Sequence, residues 1–68
     1  MEPFEINLDG KTLEVHPQTD GTYLIFEGEQ RLARLYPDVQ LNGTIWETAD
    51  VLQEYANQIG ELIEEHEM

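Results

Sequence analysis

Two imidazoles and fifteen carboxylates hold most of the reactive side-chain chemistry of this chain. Acidic residues outnumber basic ones fifteen to three, giving a formal net charge of −12 over 68 residues. Serine and cysteine are absent. That removes the usual nucleophiles of acyl transfer, every disulfide and every thiolate metal ligand. Thr12, Thr19, Thr22, Thr44 and Thr48 remain, and none is the N-terminal residue, the setting in which a threonine hydroxyl is usually activated. A carboxyl acting as general acid needs a raised pKa, and therefore a buried pocket. A domain this small has little volume for a pocket once its core is filled. The glutamates read as a solvated face, with no catalytic residue and no cofactor expected.

Metal chemistry meets a similar limit. Glu61 and Glu65 lie one helical turn apart with His66 beside Glu65, a set able to hold a divalent cation loosely. A specific transition-metal site needs about three or four convergent ligands, and no spacing here supplies them. His16, at a strand end before Pro17, is expected to face solvent. His66 extends the apolar stripe of a helix and is expected either to cover the edge of the core or, when charged, to favour the negative helix C-terminus. Nucleic-acid binding is disfavoured, because phosphates are neutralised by basic residues and only Lys11, Arg31 and Arg34 exist. In a regular strand, Arg31 and Arg34 point to opposite faces. From Glu47 onward there are seven carboxylates and no cation, a field that repels nucleic acid and anionic membranes and attracts basic proteins.

The elements that position these groups follow from periodicity. Phe4, Ile6 and Leu8 alternate with polar residues, as do Leu13 and Val15. Asp9-Gly10 between them predicts a two-residue type I′ turn. That turn sets Ile6 opposite Leu13, Phe4 opposite Val15 and, unfavourably, Glu5 opposite Glu14. Pro17 ends the strand and Thr19-Asp20-Gly21 turns the chain. Tyr23-Leu24-Ile25-Phe26 is apolar on both faces and reads as a central strand. After a turn at Glu27-Gly28-Glu29-Gln30, the segment 31–36 is ambiguous: Leu32, Leu35 and Tyr36 have helical spacing, but the segment is short and closed by Pro37, which favours strand. Val39 and Leu41 lead to Asn42-Gly43, a second type I′ signal that pairs Val39 with Trp46. Asn42-Gly43-Thr44 also fits a glycosylation pattern and is read as a turn.

Leu52, Tyr55, Ala56, Ile59, Leu62 and Ile63 repeat at three and four residues, the stripe of an amphipathic helix. Thr48 is the expected N-cap with Asp50 in the first turn; Thr44 to Glu47 also matches a capping box. Gly60 costs the helix ~1 kcal/mol relative to Ala. With Ala56 it forms a notch that suits close approach of helix to sheet. The layer rule then gives an α+β fold. It is one domain over 1–68, with an antiparallel meander of roughly four to six strands in 1–46 and a helix in 48–67 packed on one face.

The order of hairpin, hairpin, Trp46 and an acidic helix carrying Ile59-Gly60-Glu61-Leu62-Ile63-Glu64 resembles small uncharacterised bacterial proteins of about this length. The resemblance covers nearly the whole chain. It implies a strand meander with a C-terminal helix, strand for the segment 31–36, and no particular activity.

The expected function is that of a small acidic, non-enzymatic protein-interaction module. Alternatives are an acidic decoy or inhibitor of a basic nucleic-acid-binding protein, and a small-ligand or weak divalent-cation binder. One candidate surface is the helix C-terminus, with Glu61, Glu64, Glu65 and Glu67 set against the helix dipole on an end expected to fray. The other is the strand face that one helix cannot cover. Tyr23 and Ile25 share one face, Leu24 and Phe26 the other, and the pattern alone leaves open which is covered; Tyr23 and Ile25 are the residues singled out. A basic protein or a second copy is the expected partner. A cytoplasmic location is expected, since Met1-Glu2-Pro3-Phe4-Glu5 has no signal-peptide character and no apolar run approaches the ~20 residues of a membrane span.

Overall fold

The computed structural model of the chain describes residues 2–67. Five strands form one antiparallel sheet in sequence order: β1 (Phe4–Leu8), β2 (Lys11–Pro17), β3 (Tyr23–Glu27), β4 (Gln30–Gln40) and β5 (Gly43–Glu47). A C-terminal helix, α1 (Gln53–Glu67), packs across one face. This is the expected α+β meander. The first hairpin has the register its turn dictates: Ile6 opposite Leu13, Phe4 opposite Val15 and Glu5 opposite Glu14. Asp9 and Gly10 both take positive φ, 52° and 78°, as the two central residues of a type I′ turn must.

The segment 31–36 is strand, and it carries a β-bulge. Ile25 pairs with Ala33 but Phe26 pairs with Arg31, so Leu32 is the extra residue. The bulge lets Leu32 and Leu35, three apart, both reach the core, which accounts for their helix-like spacing. It also corrects the expectation for the arginines. Arg31 pairs with Phe26 and Arg34 with Leu24, and directly paired residues project to the same side of a sheet. Both arginines therefore lie on one face.

Strand β4 does not end at Pro37. Its first half pairs with β3, and Tyr36–Gln40 pairs with β5. At the changeover the Arg34 N–H donates to Asp50 Oδ2 at 3.0 Å, so the group beyond the reach of β5 still has an acceptor. The second hairpin is shifted by two residues from expectation. Gln40 pairs with Gly43, Val39 with Thr44 and Pro37 with Trp46. Leu41 and Asn42 form the turn, and Gly43 takes φ 134°, a conformation that L side chains rarely adopt. A shift of two keeps every residue on its face, so Trp46 still points inward. The tip extends past the core and leaves Leu41 and Val39 exposed.

The core joins Ile6, Leu13, Val15, Ile25, Leu35 and Trp46 of the sheet to Ala56, Ile59 and Ile63 of the helix. The helix touches β5, β1 and β4. Five strands at ~4.8 Å spacing put β1 and β5 about 19 Å apart in a flat sheet, and the 15 residues of α1 are about 22 Å long, enough to cross from one edge strand to the other. The helix starts later than its cap signals suggested. Thr44 and Glu47 are in β5. Thr48 accepts a hydrogen bond from the Asp50 N–H at 3.1 Å in a turn, and the Asp50 carboxylate is taken by Arg34. The first helical bond runs from the Ala56 N–H to the Leu52 carbonyl at 3.0 Å, and the Leu52 side chain is exposed rather than in the stripe.

The notch at Gly60 is filled by Trp46. A Cβ on Gly60 would overlap Trp46 Cδ1 and Cγ, far inside any real contact, and Trp46 is itself only 4% exposed. Gly60→Ala should therefore destabilise the protein by about 1–3 kcal/mol through overpacking, despite a ~1 kcal/mol gain in helix propensity. Urea unfolding followed by Trp46 fluorescence reads this directly. An unchanged or raised midpoint would contradict the close contact.

Candidate functional site

The carboxylates at the end of α1 divide into two sets. Glu64 and Glu67 reach down onto the sheet. The indole N–H of Trp46 donates to Glu64 Oε2 at 2.8 Å. The Tyr23 hydroxyl donates to Glu67 at 3.1 and 3.2 Å. Tyr23 meets the Trp46 ring edge-on, with centroids 5.5 Å apart. Burial, then the hydrogen bond and negative charge of Glu67, raise the Tyr23 pKa above its ordinary value. His66 stacks on Phe4 with ring centroids 3.8 Å apart and planes 7° from parallel, so it sits at the core edge rather than beside a cation ligand. With these contacts the helix extends to Glu67. Glu61 and Glu65 form the second set and are exposed on the outer ridge.

Tyr23 and Ile25 do not form an open surface. Ile25 is fully buried beneath the helix and Tyr23 packs against the same core. Strand alternation puts Leu24 and Phe26 on the opposite face, which no helix covers. The bulge completes that face. Registers of adjacent strands align Glu5, Glu14, Phe26 and Arg31 in one transverse row. His16, Leu24 and Arg34 form the next. Farther along β4 and β5, Tyr36 and Ile45 share this side by register and are about half exposed, at 47% and 51%.

The face has its own electrostatic order. His16 Nε2 and Glu14 Oε1 are 2.9 Å apart, and the His16 ring meets Phe26 edge-on at 4.8 Å. Arg34 lies 3.9 Å from Asp20. The Asp20 carboxyl accepts from the Thr22 hydroxyl at 2.7 Å and the Thr22 N–H at 3.0 Å. Those bonds, the hydroxyl's first, and then the Arg34 charge hold its pKa below the ordinary carboxylate value. Arg31 makes no ion pair among the described residues. Two of the three cations of a strongly acidic chain thus flank two apolar side chains in the middle of an open sheet.

Among the described residues, no three His, Asp or Glu side chains converge as a metal site would require. No described helix is long and apolar enough to cross a membrane. The surface depressions are open and shallow, one beside the tip at Asn42 and Gly43 and another beside Phe4 and His66. The alignment of Arg31 with Arg34 escaped sequence reasoning because it depends on the bulge. The available signal was the Leu32–Leu35 spacing, which cannot serve one face of a strand without one. No protein-family model, curated protein or solved structure matches the chain.

The two sets of helix carboxylates should respond differently to truncation. Glu64→Ala leaves the buried indole N–H without its acceptor and should cost about 1–3 kcal/mol. Glu61→Ala, on the outer ridge, should change stability by no more than ~0.5 kcal/mol. Parallel denaturant titrations compare them, and equal losses would contradict the division.

Proposed function

We propose that the protein is a non-enzymatic protein-interaction module that binds through the face carrying Leu24, Phe26, Arg31 and Arg34. One observation carries this reading: the helix covers the sheet on one side only, and the partly exposed Leu24 and Phe26 of its central strand lie on the other, beside its arginines. Apolar area rimmed by charge on an otherwise strongly acidic molecule is the usual composition of a binding surface. Open depressions and the lack of a convergent acid–base or metal cluster among the described residues favour binding over catalysis.

A second reading draws on the outer ridge of α1. Glu61 and Glu65 lie one turn apart in a stretch without Lys or Arg, which suits docking of a basic partner, including a nucleic-acid-binding protein held off its target. The two readings separate in one capture experiment from lysate of the source cells. Wild type, Phe26→Glu and the double variant Glu61→Lys/Glu65→Lys serve as baits. Binding through the sheet face predicts a partner lost with Phe26→Glu and retained by the helix variant. The opposite pattern supports the acidic ridge, and identical captures by all three baits contradict both.

A further inference from the structure

We infer that the occupant of the open sheet face is a second copy of this chain, related by a two-fold axis lying between the sheets and parallel to β3. This deepens the proposed function and rests on its choice of face. The charge order supplies the reason. The row Glu5–Glu14–Phe26–Arg31 is acidic on one side of β3 and basic on the other. A two-fold parallel to β3 exchanges the two sides. It stacks Phe26 on the partner copy's equivalent ring and sets Glu14 over Arg31 of the second copy, twice per dimer. Facing sheets pack about 10 Å apart, within reach of a Glu and an Arg side chain extended toward each other. The adjacent row places His16 over Arg34 of the second copy, where Arg34 lies 3.9 Å from its own Asp20.

The alternative face-to-face axis, across the strands, is disfavoured by the same pattern. It would keep β4 over β4 and exchange the two rows, bringing Arg31 over Arg34. Like charges so placed oppose association. A regular β4 would have separated the arginines onto two faces, so the bulge at Leu32 is what makes the surface self-complementary. Closed two-fold pairing of this kind joins one patch to itself.

The test is sedimentation equilibrium of wild type, Glu14→Arg, Arg31→Glu and an equimolar mixture of the two variants, at physiological salt. Wild type should reach twice the 7.9 kDa chain mass. Each single variant puts like charges in contact at two symmetric positions and should weaken self-association at least about tenfold. The mixture should recover it, because each variant supplies the charge the other lacks. Glu14→Arg is decisive: it lowers the net negative charge, so general repulsion predicts tighter association where specific pairing predicts weaker. Monomeric wild type, or tighter self-association of Glu14→Arg, or a mixture that stays monomeric, would each overturn the inference. Monomeric wild type combined with Phe26-dependent capture of another protein would overturn only the second copy and leave the binding face in place.

Discussion

The contact between the Trp46 indole and the bare backbone of Gly60 sets the geometry of the whole molecule. The ring occupies the space a Cβ would need, which fixes how closely the helix approaches the sheet. Its N–H donates to Glu64, one turn beyond Gly60, which fixes the helix rotation. Its carbonyl accepts from the Gln53 side chain at the first residue of α1, which helps set where the helix begins. Tyr23 closes on the ring from β3 and is itself tied to Glu67. One aromatic residue thus meets the helix at Gln53, Gly60 and Glu64. That residue projects from edge strand β5, and His66 lies on Phe4 of the other edge strand, so the helix spans the sheet from β5 to β1.

The same contact makes an acidic helix terminus tolerable. Carboxylates near a helix C-terminus oppose the dipole and repel one another, each at a cost of about 0.3–1 kcal/mol when exposed. Here two of them meet donors, an indole N–H and a phenol. Charge-assisted hydrogen bonds of that sort are roughly twice as strong as neutral ones. His66, the one basic residue of the last turn, lies flat on Phe4 of β1. The C-terminal end is therefore held by both β1 and β3. Glu61 and Glu65 lie exposed on the outer ridge, where water screens surface charges.

Local signals in the sequence are legible where they are self-sufficient. Asp9-Gly10 specifies a turn, the turn specifies a register, and alternation on both sides agrees with it. The helix stripe and the Gly60 notch were legible for the same reason. What was not legible depends on competition between elements. Thr48 is a good N-cap by type, but its hydroxyl serves a turn and Asp50 is drawn to the N–H of Arg34. Asn42-Gly43 is a strong two-residue turn, yet Gly43 serves better as the first residue of β5. Tyr23 and Ile25 are indistinguishable from Leu24 and Phe26 by composition; the register that sets Ile25 beside Val15 decides which pair faces the helix. The surface of Arg31 and Arg34 rests on a single inserted residue in the ladder.

The molecule that results has a closed side and an open one. The closed side is held by Trp46 and Gly60 and bears most of the exposed negative charge of α1. The open side gathers Leu24, Phe26 and two arginines. The most direct test of this division uses NMR with a water-soluble paramagnetic probe, recorded as protein concentration rises. The account predicts that Leu24 methyl and Phe26 ring signals, broadened in dilute solution, become shielded as copies associate, while Leu52 and the outer ridge of α1 stay equally accessible. Unchanged accessibility of Leu24 and Phe26, or shielding of the helix ridge in their place, would contradict it.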